Sequence, residues 1–146
     1  MTSVAGSVER QWRCQQTLTA LFRHLDDKRY ENVVDMFVED GVWQRPGVVL
    51  AGRAEIMADM RKRSATRLSR HVLANFLVIE EGDELEALAT LTTYAFDTAS
   101  AAEMPQVIDG PMGIYSARAQ FTETPAGTRL RRLELGVEFT FGKRGT

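Results

Sequence analysis

The chain has 146 residues, of which 44% are hydrophobic and 26% charged, and its formal net charge is −2. That length and balance suit one globular domain with a sizeable core, and the near-neutral charge gives no reason to expect nucleic acid or an anionic membrane as a partner. A single cysteine, Cys14, excludes an internal disulfide and a cysteine-based metal site.

Residues 1–8 are small and polar and read as a loose segment, leaving 9–142 as one domain. A helix is predicted from Glu9 to Asp26, because Cys14, Leu18, Leu21, Phe22 and Leu25 fall on one helical stripe. A second helix follows in DDKRYENVVDMFVED, with Asp27 as its N-cap and Tyr30, Val33, Val34 and Phe37 turned inward. GVWQRPG (41–47) reads as a short strand ending at a Pro-Gly turn. AGRAEIMADMRKR gives a third helix, with Ile56, Met57 and Met60 facing the core and basic residues at the end that the helix dipole favours. The basic runs 61–63 and 129–132 read as solvated ends of elements.

After Arg70 the period changes to that of strands. The first spans about 71–80, where His71, Leu73, Asn75, Leu77 and Ile79 share one face, so that an imidazole and an amide interrupt an apolar surface. A turn at EGDE leads into a strand over 85–96. Residues 97–110 form a longer loop that serves as a lid, a dimer contact or a plain surface connection. Strands at 111–124 and 128–141 follow. In the last, Arg129, Arg131, Leu133, Leu135, Val137, Phe139 and Phe141 share one side. Helices first and hairpin-linked strands afterwards define an α+β protein, with three N-terminal helices packed on a strongly curved, mainly antiparallel sheet. Such a sheet, closed off by helices, encloses a conical cavity suited to a ligand.

Asp26 stands out on physical grounds. It lies four residues after Phe22, at the edge of the buried stripe. A carboxylate there meets the negative end of the helix dipole and approaches an apolar interior, both unfavourable. A hydrogen-bonding partner removes both objections, and His71 is one candidate. Read plainly, Asp26 and Asp27 are turn and cap residues, and His71 is a solvated residue at a strand start. Both readings stay open on residue physics alone. With two histidines and one cysteine no metal-ligand spacing appears, and no glycine-rich phosphate loop is present, so no cofactor is expected. His24 falls on a different helical face from Asp26. No apolar run approaches the ~20 residues of a membrane span, and the N-terminus lacks a signal-peptide core, which suggests a cytoplasmic protein.

The stretch LTALFRHLDDKRYENVVDMFVEDGVWQRPGVVLAGRAEI, followed by RHVLANFLV, resembles the NTF2-like superfamily. Within it the likeness is to the SnoaL-like polyketide cyclase and scytalone dehydratase-like group. The shared features are a helix ending in Leu-Asp, F-x-x-D-G-x-W, a G-R-x-x-I helix, an Arg-His-x-x-x-Asn strand, a G-x-Y strand and an arginine-rich last strand, spanning roughly Leu18 to Phe141. The resemblance implies a cone-shaped α+β barrel around a deep pocket. In several of the group's enzymes that pocket holds an Asp-His pair, at positions matching Asp26 and His71.

Those residue types suit proton abstraction next to a carbonyl. A free imidazole has a pKa near ~6.5, and a carboxylate on its other nitrogen fixes the tautomer. The resemblance therefore implies a cofactor-independent lyase or isomerase acting on a small apolar, cyclic carbonyl compound. Tyr115, Tyr94, Asn75 and Arg131 are candidate donors to the enolate oxygen. Trp43 and Tyr30 are expected in the core or pocket wall, and Met57, Met60 and Met112 in the core. Arg131 either reaches the pocket or is solvated at its strand end. The group's dehydratases carry a tyrosine five residues before the Asp, where this chain has Leu21. That departure keeps a second reading alive: a non-catalytic ligand-binding or assembly module, such as the β-subunit of a ring-hydroxylating dioxygenase. The resemblance further implies a homodimer through the outer sheet face, where Arg132, Glu134, Glu138 and Thr140 lie.

Overall fold

The computed structural model describes residues 8–99 and 103–142. The loose segment expected at 1–8 thus lies outside the described residues except for Val8, which opens the first helix, and so do residues 100–102 of the long loop. Helix α1 spans Val8–Asp26 and buries Cys14, Thr17, Leu18, Leu21, Phe22 and Leu25 on one stripe. It closes through Lys28, which has φ 59. The Lys28 N–H reaches the Leu25 carbonyl and the Arg29 N–H reaches the His24 carbonyl, the paired bonds of a Schellman closure. A lysine in the left-handed region is unfavourable, and its ammonium is anchored on the Ala65 carbonyl at 2.6 Å. This closure takes up Asp27, so Asp27 caps nothing. Helix α2, Tyr30–Asp35, starts after Arg29 without a side-chain cap.

The second helix is shorter than its apolar pattern suggests. Phe37 already belongs to strand β1, Phe37–Arg45. The Leu130 N–H donates to the Met36 carbonyl, and Phe37 lies in register with Leu130. Pairing with a distant strand overrides local helix preference here. After the Pro46-Gly47 turn a short strand, β2 (Val48–Ala51), folds back on β1. Its four residues are too few to show a period. Helix α3 spans Arg53–Met60 and buries Ile56 and Met60. Strands β3 (Arg67–Glu81), β4 (Glu84–Asp97), β5 (Gly113–Thr124) and β6 (Gly127–Thr140) complete the chain.

The sheet order is β2-β1-β6-β5-β4-β3. Only β1 and β6 run parallel; the other neighbours are antiparallel. Three helices pack on this mixed, mostly antiparallel, curved sheet. The core between α1 and the sheet holds Phe22, Phe37, Trp43, Phe121, Leu130 and Leu133.

Two bulges change which residues face inward. The β3–β4 register shifts between Ala74 and Leu77, and Asn75 takes φ 55, a conformation asparagine tolerates better than most residues. Ser69, His71 and Leu73 are at least half-buried before the bulge; Phe76 and Val78 are so after it. The single face drawn from His71 to Ile79 by strict alternation therefore breaks at Asn75, which is exposed along with Leu77. In β6, Gln120 pairs with Arg132 and Phe121 with Leu130. Arg131 is the extra residue of that bulge and is exposed, while Leu130 and Leu133 are buried on either side of it.

Candidate functional site

The end of α1 lies over the start of β3. Asp26 Oδ1 accepts from His71 Nδ1 at 2.6 Å and from Ser69 Oγ at 3.0 Å, and Oδ2 accepts the His71 backbone N–H at 2.9 Å. The His71 and Asp26 side chains are only 10% and 8% exposed. Burial by itself would push the Asp26 carboxyl up. The side-chain and backbone hydrogen bonds from His71, its charge and the Ser69 hydroxyl outweigh that and hold the carboxyl below its ordinary value. The carboxylate at the negative end of a helix is therefore satisfied by β3. A carboxylate on Nδ1 keeps the proton there and leaves the Nε2 lone pair outward; Nε2 has no partner among the described residues. The Phe22 ring stacks on the imidazole, with centroids 5.1 Å apart, and fixes its plane.

His71 opens into a cavity of about 260 Å³. Phe22, Leu25, Trp43, Leu91 and Leu135 give it apolar walls, and Thr93 and Tyr115 are its hydroxyl-bearing residues. Trp43 stacks on Phe37 and meets Phe22 edge-on, so the wall is rigid aromatic packing. Three arginines, Arg45, Arg63 and Arg67, also line the cavity, and no carboxylate does. The same three and Met112 line an adjoining outer hollow of about 490 Å³, so they stand at the junction of the two spaces.

Each arginine is held differently. Arg45 lies over the Trp43 ring, 5.2 Å from its centroid, and forms an ion pair with Asp59 of α3. Arg63 is hydrogen-bonded to the Tyr30 side chain; burial first, then the charges of Arg67 and Arg45, lower its pKa against that bond. The guanidinium stays protonated, so the repulsion persists in the fold. Arg67 touches Met112 Sδ at 3.7 Å. Buried donors without a partner are concentrated here: Trp43 Nε1, Arg45 Nε and Arg67 Nε. Each such group costs about 1–3 kcal/mol if left unmet.

Of the residues singled out from sequence, the structure brings Asp26, His71, Trp43 and Tyr115 to this cavity or its rim. The others lie elsewhere. Asn75 and Arg131 are turned out by the two bulges. Tyr94 lies on the opposite face of β4 from Leu91 and Thr93 and lines a separate hollow with Arg70 and Met104. Tyr30 packs against the core and reaches the cavity only through Arg63. Leu21 is fully buried core. Met112, read as core, is a lining residue.

Sequence reading passed over the arginines, taking 61–63 as a solvated helix end. The alternation that turns His71 inward, carried back two steps, also turns Arg67 inward, and Arg45 shares the face of Trp43. Those two were legible; Arg63, which follows the end of α3, carried no such sign. Among the described residues no cluster of His, Cys, Asp or Glu is suited to hold a metal ion, and no helix is long and apolar enough to cross a membrane.

Several solved structures share this fold. ActVI-ORFA from Streptomyces coelicolor superposes with a TM-score of 0.74 at 14% identity, covering 90% of this chain and 98% of that one. Aln2 from a Streptomyces species gives 0.75 at 17%, covering 90% and 93%. An NTF2-like protein with a cystatin-like fold from Novosphingobium aromaticivorans gives 0.73 at 23%, covering 89% and 82%. No curated protein matches the sequence significantly. A family model described as the SnoaL-like domain matches residues 6–133, and the chain belongs to the SnoaL-like domain family.

Proposed function

We propose that the protein is a cofactor-independent lyase or isomerase in which His71 removes a proton from a carbon next to a carbonyl. The observation that carries this reading is the buried Asp26–His71 hydrogen bond with the second ring nitrogen left for a ligand. SnoaL-like domains bind small molecules, and the family includes polyketide cyclases and isomerases. In the reaction, the C–H bond breaks and its proton goes to Nε2, while the electron pair moves into the carbonyl to give an enolate. Asp26 keeps the tautomer and stabilises the imidazolium. The enolate then expels a β-hydroxyl that leaves as water with the Nε2 proton, takes that proton back at another carbon to shift the double bond, or attacks a second carbonyl of the substrate to close a ring, the new alkoxide taking the proton. Tyr115, which lines the same cavity, is the donor assigned to the enolate oxygen.

The test is turnover of cyclic ketones of polyketide, steroid and aromatic types by the wild type, His71→Ala and Asp26→Asn. A positioned base contributes roughly 10²–10⁴-fold in rate, and a loss of that order is expected in His71→Ala. Equal turnover by all three proteins refutes the assignment.

One observation favours the other class. Leu21 is sealed in the core, so α1 offers no tyrosine beside the pair. As an assembly module of the dioxygenase β-subunit kind, the protein would co-purify with a larger iron-containing subunit. Isolation from its native cells without such a partner, together with turnover, rules that out.

A further inference from the structure

We infer that the ligand of this cavity is not simply apolar but carries a carboxylate, seated between Arg63 and Arg67 where the inner cavity meets the outer hollow. The inference rests on the cavity being the ligand site, and it deepens the functional reading by naming the substrate class: a compact carbonyl compound with an acid group away from the carbon that loses its proton.

The charges lead to this class. Three guanidinium groups line the cavity with no carboxylate among them. Arg45 is committed to Asp59. Neither Arg63 nor Arg67 forms an ion pair among the described residues; Arg63 has only the neutral Tyr30 and Arg67 only the Met112 sulfur as polar partners. The other charged groups facing them are Asp97 and Lys62 in the outer hollow. Asp97 is hydrogen-bonded by the Thr66 and Ser64 side chains and the Ala99 N–H and feels the charge of Arg67 without pairing with it, so it offsets only part of that charge, and Lys62 is exposed. The junction is thus short of negative charge. A pair of like charges held together in a half-buried wall is unfavourable unless an anion joins them.

The buried donors add to the positive potential of the wall. The Nε atoms of Arg45 and Arg67 and the indole Nε1 of Trp43 lack acceptors, and Trp43 is 1% exposed. Buried donors are normally satisfied; these three are closed off from the cavity itself, so they add unmet positive potential behind its wall rather than contacts for a ligand. A carboxylate suits planar guanidinium forks. The inner cavity is at the small end of ligand sites, which run to roughly 300–1,000 Å³, and its apolar part takes a ring system rather than a chain of charges.

The test is binding, not turnover. 2-Naphthoate is titrated into the protein against 2-naphthamide, its neutral counterpart, by calorimetry at pH 7 and low salt. The acid is expected to bind at least tenfold tighter than the amide, and the gap is expected to narrow with salt. Arg63→Gln/Arg67→Gln abolishes the gap, whereas His71→Ala retains it. The double variant is expected to melt no lower than the wild type, since it relieves repulsion; if it does not fold, each single variant reads the same gap. Equal binding of acid and amide, no binding of the acid, or a gap that survives loss of both arginines overturns the inference. A retained gap with unchanged turnover in His71→Ala instead overturns the base assignment alone.

Discussion

Replacing Asp26 with asparagine separates the charge of the carboxylate from its shape. The carboxylate accepts three hydrogen bonds, from His71 Nδ1, Ser69 Oγ and the His71 backbone N–H. An asparagine can meet all three groups in one orientation: its carbonyl takes the backbone N–H, and its amide donates to Ser69 Oγ and to Nδ1. Nδ1 must then be an acceptor, so the ring proton moves to Nε2 and the lone pair facing the cavity is lost. Three charge-assisted bonds become neutral ones, each weaker by about 1 kcal/mol, and easier desolvation of a neutral amide returns part of that. The net cost is about 1–2 kcal/mol, a fall in Tm of roughly 2–8 °C for a chain of this size. Asp26→Ala leaves the three donors without an acceptor and costs about 3–5 kcal/mol. Long-range ¹H–¹⁵N spectra of the imidazole read the tautomer without any substrate, and calorimetry reads the stability. The wild type is expected to carry its neutral-ring proton on Nδ1 and Asp26→Asn on Nε2. An unchanged tautomer, or an asparagine as costly as the alanine, refutes this account of how the pair is held.

Three further outcomes follow from other parts of the molecule. The folded-state pKa of Asp26 lies below its ordinary value of 3.8, so its contribution to stability is complete above that value and lost as pH falls through the lower one; denaturant midpoints of wild type and Asp26→Asn should converge in acid, and a constant difference from pH 7 to pH 2 contradicts it. Cys14 is fully buried, and burial, helped by Glu123, pushes its thiol up to about 12; iodoacetamide at pH 8 should label it only at the rate of unfolding, which mass spectrometry follows. The homodimer that the resemblance implies would use the face turned away from the helices, where Phe139 is 61% exposed and Val72, Leu77 and Phe96 are also exposed; Arg132 already hydrogen-bonds Glu134 and Gln44 of its own chain, so apolar contacts rather than reciprocal ion pairs would hold it. Phe139→Glu should then shift the sedimentation coefficient from dimer to monomer, and a wild type that sediments as a monomer excludes it.

The architecture was legible because its two signals are long: a helical stripe from Cys14 to Leu25 and four extended alternating segments. The errors lie where one residue changes the phase. Counting in twos puts Asn75 on the pocket face of β3 and lets Arg131 of β6 either reach the pocket or be solvated; each sits in a bulge that resets the count, and Arg131 is solvated. Asparagine in the left-handed region gives a faint local hint at position 75. Arg131 gives none, since its bulge is set by pairing with β5. The helix predicted through Phe37 failed for a similar reason: its partner, Leu130, lies far along the chain.

The first turns of β3 show how much function a correct phase can carry. Arg67, Ser69 and His71 alternate along one strand and lie on one side of it before the bulge. Each does a different job. Arg67 stands at the junction of cavity and solvent hollow, Ser69 ties down Asp26, and His71 presents its ring to the cavity. A strand holds alternate residues about 7 Å apart with little freedom, so Arg67 and His71 lie about 13 Å apart along it, which spaces an anion site from a base as a rigid scaffold would. Inserting one residue after Arg70 and deleting Ala74, with the bulge kept at Asn75, would keep the strand length, move His71 from opposite Thr93 to opposite Thr92 and turn it outward. That protein is expected to fold with β3 paired to β4 and to lose the Asp26–His71 hydrogen bond, whereas a preserved bond would show that contacts with α1, not strand phase, place the imidazole.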